Sequence, residues 1–162
     1  RQRHAPGRRD ALQEPNPQKL LPAPPPWTGF DAATILSIAR ELAVGAAVAC
    51  PDRKVIGMQA DGSGMYTVQG LWTQVREKLP VTTVILSNRK YQILIGEFLS
   101  VGANPGPTAM NMLDLGNPDI GWVKLASSFG MEAAHADTLE ACADLMTQSF
   151  RRPGPFLIEL SI

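Results

Sequence analysis

Cysteine is scarce in this chain, with Cys50 and Cys142 the only two in 162 residues. They stand far apart, with no CxxC pair and no Cys/His spacing around them, which excludes a disulfide scaffold and a structural zinc site. A charge of prevailing sign is missing as well. Fifteen basic and fifteen acidic side chains cancel, so no global field draws the chain to nucleic acid or to an anionic membrane. No apolar run approaches the roughly 20 residues that a bilayer-spanning helix needs. GxGxxG and GxxxxGK[ST] are both absent, which argues against dinucleotide and P-loop readings. The two histidines, His4 and His135, have no acidic or histidine neighbours at ligand spacing. What is left is a reduced, cytoplasmic domain, with 44% hydrophobic residues to build one core. The sequence begins at Arg1 and not at Met, as a fragment or a processed product does.

Proline sets the first boundary. Seven of the fourteen prolines lie between Pro6 and Pro26, among five basic and two acidic residues up to Trp27. Such a stretch buries too little apolar surface to offset its chain entropy, and proline favours extended backbone. Residues 1–28 therefore read as a linker or tail, and 29–162 as the domain.

Within the domain, Ile35, Leu36, Ile38, Ala39 and Leu42 recur at helical spacing, with Thr28 or Asp31 to cap the start. The pattern runs on through Ala49 to Pro51. Lys54 to Ala60 suits a buried strand, and Asp61-Gly62-Ser63-Gly64 a turn. Val68, Leu71, Trp72 and Val75 give a helical face that Pro80 stops, and Val81 to Leu86 is a β-branched run. Tyr91 to Leu99, Asp119 to Phe129 and Leu139 to Phe150 read as helices, Gly102 to Pro107 as loop. Glu132 to Ala136 and Phe156 to Ile162 complete the strands. Alternation of this kind predicts an α/β fold, a mainly parallel sheet with helices on both faces. Trp72 and Trp122 read as packing residues, Met110, Met112 and Met131 as core filling, and Cys50 as inert.

In an open parallel sheet, ligands bind beyond the carboxyl ends of the strands. Asp61-Gly62-Ser63 and Ser87-Asn88 lie at two such ends. A helix from Val68 to Lys78 advances about 16 Å, and the following strand returns about 20 Å. A right-handed crossover thus brings Asn88 back to the edge that carries Asp61, 88 − 61 = 27 residues earlier. Taken singly, an Asp-Gly after a strand is a turn and an Asn there a helix cap. Taken together, a carboxylate and an amide oxygen make a sparse oxygen set suited to Mg²⁺, which completes its shell with phosphate and water. Gly62 admits a phosphate close to the backbone, and Ser63 and neighbouring amides can donate to it. The constellation proposes a metal-bound diphosphate.

These residues resemble a known family. Asp61-Gly62-Ser63, Leu71-Trp72-Thr73, Leu79-Pro80 and Asn88 look like the thiamine diphosphate motif of the decarboxylase and acetolactate synthase superfamily, a GDG triplet followed by an asparagine pair. The likeness runs from about Leu42 to Ile162 and includes Gly45-Ala46-Ala47 and Pro153 to Glu159. Asn104-Pro105-Gly106-Pro107 and Met112-Leu113-Asp114-Leu115 lean toward acetolactate synthase large subunits, on the side near benzoylformate decarboxylase. The resemblance implies the C-terminal, diphosphate-binding domain of a three-domain enzyme, a three-layer α/β sandwich. By it, Asp61 and Asn88 would ligate Mg²⁺ through side-chain oxygens and Lys90 through its backbone carbonyl. Gly62 and Ser63 would contact the diphosphate, and Tyr91, Ile93 and Leu94 open the helix that closes over the cofactor. The cofactor supplies the chemistry, attack on a 2-oxo acid and an electron sink for the carbanion left by decarboxylation.

Departures from the pattern set further expectations. Ala60 replaces the first glycine of GDG, and Ser87 the first asparagine of the pair. The family's extra strand and glycine-rich turn before Gly45 have no counterpart, so the domain is internally shortened near Glu41 by about forty residues, one βα unit with loops. No catalytic residue is expected in this chain. The glutamate that activates the aminopyrimidine belongs to a pyrimidine-binding domain expected from another chain; the partner implied is that chain or a homo-oligomeric copy. Glu77, Glu97 and Glu159 do not substitute for it. The implied function is cofactor binding within an acetolactate synthase-like enzyme acting on 2-oxo acids. The rivals are a catalytically silent binding or assembly module, a decarboxylase of the benzoylformate type, and a structural remnant that binds nothing.

Overall fold

The structure, a computed structural model, describes residues 42–162. The expected tail at 1–28, the helix expected from Asp31 to Arg40 and the junction near Glu41 lie outside the described residues. Residues 42–49 are helical and form α1. There follow β1 (Val55–Ala60), α2 (Asp61–Gly64), α3 (Gln69–Arg76), β2 (Val81–Ser87), α4 (Gln92–Ser100) and α5 (Pro107–Met112). The chain closes with α6 (Trp122–Ser128), β3 (Glu132–Ala136), α7 (Leu139–Phe150) and β4 (Phe156–Ser161).

The four strands are parallel, in the order β1-β2-β4-β3. β2 and β4 are central, and both are almost wholly buried, as strands covered on two faces must be. Thr82 and Thr83, consecutive in β2, point to opposite faces. Each finds a helix partner on its own face. Thr82 Oγ1 lies 2.9 Å from Ser149 Oγ of α7, and Thr83 Oγ1 donates to Gln74 Oε1 of α3 at 3.2 Å.

Two apolar layers sandwich the sheet. Leu71, Trp122, Ala126 and Met131 pack on Ile85 and Leu157 under α3 and α6. Across the sheet, Cys142 of α7 packs with Val84, Ala136, Phe156, Ile158 and Leu160. Ala43 and Ala47 of α1 cover Val55 and Val81 on the α3 side. Helices on both faces of a parallel sheet make the expected three-layer α/β sandwich. Local chemistry sets the ends of its elements. Thr138 caps α7, its side chain accepting from the Ala141 N–H at 3.1 Å. Gly130, with φ 83°, ends α6 in the left-handed conformation that glycine adopts without strain.

Several expectations need correction. Asp61–Gly64 is one turn of helix and not an open turn, and α5 occupies a stretch assigned no element. The helix expected from Asp119 begins at Trp122. Trp122 and Met131 are buried as expected, but Trp72 is 48% exposed, its ring 5.3 Å from the Arg76 guanidinium carbon. Gly70, Leu71 and Gln74 are the buried residues of that short helix, with Val75 partly buried against the core. Met110 and Met112 are exposed on α5, which buries none of its residues. On the α7 face, Ile56 and Met58 of β1 are also exposed. An apolar groove of about 410 Å³ runs there, between Met58, Leu86, Leu139, Met146 and Ile162.

Candidate functional site

Two adjacent parallel strands deliver the polar residues to one edge. Ala60 of β1 is in register with Leu86 of β2, so the chain leaves both strands side by side, into Asp61 on one and Asn88 on the other. The predicted juxtaposition of these two segments is present. It is closed by the backbone of Arg89, whose N–H donates to Asp61 Oδ2 at 2.6 Å. Asp61 is 2% exposed, and its other oxygen accepts from the Gly62 N–H at 2.8 Å. Two amide donors thus hold a buried carboxylate in fixed orientation.

The turn after β2 is equally constrained. Asn88 Oδ1 accepts from the Lys90 N–H at 3.0 Å. Lys90 stands opposite Asp114 in an isolated antiparallel bridge. The bonds on either side run from Tyr91 N–H to Leu113 O, 2.9 Å, and from Leu115 N–H to Arg89 O, 2.8 Å. In such a non-hydrogen-bonded pair the residue's own N–H and C=O point away from its partner. The Lys90 carbonyl therefore faces the side on which Asn88 Oδ1 meets the Lys90 N–H. Arg89 has φ 57°, a left-handed conformation uncommon for a residue with a side chain. Its guanidinium reaches Asp119, Nε to Oδ1 at 3.1 Å.

Gly62 is where the backbone comes closest to a neighbour. A Cβ built there would lie 2.6 Å from Tyr91 Cε1 and 2.7 Å from Cδ1, so the Tyr91 ring rests directly on the glycine. Burial first, then the nearby Tyr66 and Asp61, raise the Tyr91 phenol above its ordinary pKa of 10.0. Ser63 is buried, its hydroxyl donating to Ala60 O at 3.1 Å and accepting from Gln59 Nε2 at 3.4 Å. Its backbone N–H lies in a first helical turn, where no intrahelical acceptor exists. Ile93 and Leu94 sit in the first turn of α4 and are exposed. Among the described residues no three His, Cys, Asp or Glu side chains converge as a metal cluster. Any ion at this edge would draw on amide and carbonyl oxygens beside the single carboxylate.

Three residues around this edge were given no part in the site by the sequence reading, Glu159 having been set aside only as a substitute for the activating glutamate. Arg89 bridges the two strand ends, and Asp119 receives its side chain. Glu159 sits buried in β4, with His135 Nδ1 4.0 Å from its Oε2. Sequence spacing hid that neighbour, because the sheet register and not the chain brings β3 to β4. A signal was present in the acid itself, which interrupts the apolar run Phe156-Leu157-Ile158-Glu159-Leu160. No helix among the described residues is long and apolar enough to cross a membrane.

Comparison with known proteins bears on this geometry. The family described as thiamine pyrophosphate enzyme, C-terminal TPP binding domain, matches residues 19–160. A Mycobacterium tuberculosis protein named as an acetolactate synthase large subunit is 48% identical over 122 residues, 74% of this chain and 24% of that protein. Benzoylformate decarboxylase of Pseudomonas aeruginosa is 34% identical over 133 residues, 81% of this chain and 24% of that enzyme. Among solved structures, the thiamine diphosphate-dependent 4-hydroxybenzoylformate decarboxylase of Rhodococcus jostii RHA1 superposes with a TM-score of 0.64 at 35% identity. It covers 76% of this chain, which in turn covers 22% of that one. The chain spans about a quarter of the length of the curated relatives it matches.

Proposed function

The chain belongs to the thiamine pyrophosphate enzymes, in their C-terminal TPP-binding domain, and we propose from that premise that it holds the cofactor's diphosphate through Mg²⁺. The observation that carries the reading is the joining of the two strand ends, the Arg89 N–H on Asp61 Oδ2 at 2.6 Å. It sets one carboxylate, the Asn88 amide oxygen and the Lys90 carbonyl on a single edge. All three are hard oxygen donors, too few to enclose Ca²⁺, and they suit an octahedral Mg²⁺ that takes its other ligands from phosphate and water. The fit extends to Gly62, where a side chain has no room beside Tyr91.

In this reading Asp61 and Asn88 ligate the ion through their side chains and Lys90 through its carbonyl. Gly62 and the Ser63 N–H approach the diphosphate, and Tyr91, Ile93 and Leu94 shield it from water. When bound, thiamine diphosphate supplies the electron sink for decarboxylation of a 2-oxo acid. The chain's own residues orient the cofactor's charged end and supply no acid or base to the reaction. A second chain carrying a pyrimidine-binding domain provides the activating glutamate, and a homo-oligomeric mate is the alternative partner for assembly alone. The complete assembly is an acetolactate synthase-like enzyme of the cytoplasm, joining decarboxylation to carboligation. Identities of 34% and 35% to two benzoylformate-type decarboxylases support simple decarboxylation as the alternative. The exposed apolar side chains of α4, α5 and β1 favour a second reading, a catalytically silent module that binds or assembles.

Thermal unfolding of the full chain tests the proposal, with Mg²⁺ and thiamine diphosphate together, with each alone, and with EDTA. A rise in Tm that requires both ligands is the expected result. A cooperative transition that neither ligand moves would defeat the cofactor reading and leave the silent module.

A further inference from the structure

Glu159 is 8% exposed, flanked by apolar Ile158 and Leu160 in β4, and the site as described makes no use of it. It lies in register between Ile85 of β2 and His135 of β3, on the face that α6 covers. The groups facing it are the Val123 backbone N–H, His135, Asp119 and Arg89. Val123 stands in the first turn of α6, a helix whose own N-cap, Gly121, offers no side chain. An anion at that point satisfies the opening of the helix and complements its dipole. Burial raises the Glu159 carboxyl above its ordinary 4.5, so an acid here is held against a cost that an apolar residue would not incur.

From α6 the contacts lead back to the strand ends. Asp119, three residues ahead of Trp122, takes the Arg89 guanidinium at 3.1 Å. Arg89 is the left-handed residue between Asn88 and Lys90. Its N–H meets Asp61 Oδ2, and its carbonyl accepts from the Leu115 N–H. Every link is a contact between named groups, except the short run of chain that joins Asp119 to Trp122.

We propose that Glu159 is a positioning residue for the divalent-cation site, fixing the start of α6 and, through Asp119 and Arg89, the turn that carries Asn88 and the Lys90 carbonyl. The inference rests on the cation reading given above. Glu159 touches neither ion nor cofactor and acts by holding the turn in the one conformation that aligns its oxygens with Asp61.

The test compares the full native chain with Glu159→Ala, Glu159→Gln and Asp119→Asn. Amide hydrogen exchange, resolved by NMR in the metal-free protein, reads the turn directly. A Mg²⁺ titration at fixed thiamine diphosphate, followed by tryptophan fluorescence, reads its consequence. Glu159→Ala is expected to speed exchange at the Arg89 and Leu115 amides at least tenfold, with Ile85 and Leu157 unchanged. The Mg²⁺ midpoint should rise by a similar factor. Glu159→Gln keeps an oxygen toward Val123 and should restore most of both. Asp119→Asn, on the surface, should reproduce the loosening even if Glu159→Ala fails to fold. Equal acceleration at the core amides, or none at Arg89 and Leu115, overturns the role of Glu159. Absence of any Mg²⁺-dependent uptake by the native chain overturns the site reading instead.

Discussion

Replacing Asp61 is the sharpest perturbation of the site, because its carboxylate serves both the fold and the proposed ion. Asp61→Ala strands two backbone donors, the N–H groups of Gly62 and Arg89. An unsatisfied buried donor costs about 1–3 kcal/mol. The Gly62 bond is buried and incurs most of that cost, whereas the partly buried Arg89 N–H regains some hydration. The sum is about 2–4 kcal/mol, less than the roughly 5–15 kcal/mol that holds a typical domain folded. At roughly 2–4 °C per kcal/mol for a chain of this size, the ligand-free Tm should fall by about 5–15 °C. Asp61→Asn keeps one acceptor but turns its NH₂ toward the second donor, so its loss should be about half as large. Neither variant retains the negative charge. Both should therefore lose the Mg²⁺-dependent stabilisation, about 2.7 kcal/mol in the native chain at a hundredfold excess over Kd. Circular dichroism melts with and without Mg²⁺ and thiamine diphosphate separate the two effects. An unchanged ligand-free Tm in Asp61→Ala would show that the amide bonds do not hold the turn. A native-sized ligand shift in either variant would remove Asp61 from the site.

Gly62→Ala should displace the Tyr91 ring by about 0.8 Å, the gap between 2.6 Å and ordinary 3.4 Å contact. It should cost about 1–3 kcal/mol by calorimetry and abolish the ligand-induced shift. Burial, with Asp119 adding to it, raises the Glu159 pKa against the opposing pull of the Val123 N–H, His135 and Arg89, so the folded chain holds this proton more tightly than the unfolded one. Its contribution to stability therefore falls as pH rises from the ordinary 4.5 through the raised value. Glu159→Gln should flatten urea midpoints over that range and match or exceed the native chain above it. Thr138→Ala should cost about 1 kcal/mol, read as a lower urea midpoint, through loss of the α7 cap. Leu99→Lys, on a helix that buries none of its residues, should leave the isolated chain's Tm unchanged within about 1 °C and weaken self-association in sedimentation velocity.

The sheet was legible because its strands are short apolar runs closed by Pro, Gly and Asp, signals that act locally. Pro80 opens β2, a few residues after α3 has ended at Arg76 with Lys78 left-handed, and the crossover length alone placed Asn88 beside Asp61. The less legible features depend on register or on partners distant in sequence. Nothing near His135 announces Glu159, and nothing near Arg89 announces Asp119 thirty residues on. Trp72 misled for a related reason. An eight-residue helix gives two turns, and its inward stripe is taken by Gly70, Leu71 and Gln74, with Val75 beside them. The methionines of α5 were misjudged because hydrophobicity alone does not say which apolar side chains the fold covers, and α5 buries none of its residues.

The division of this surface bears on how such a domain works. At the strand ends, oxygens and amides are held by short hydrogen bonds. Beside them α4 is apolar on most of its circumference, yet Ile93, Leu94 and Leu99 are exposed and none of its residues is buried. A helix of that composition gains its stability by being covered. It begins next to Tyr91, whose ring lies on Gly62, so a chain that covered α4 would also close the side of the cation site. In the proposed reading the two needs have one answer. The partner that brings the missing glutamate would also bury α4, and the domain's order at that helix would depend on the assembly that makes it active.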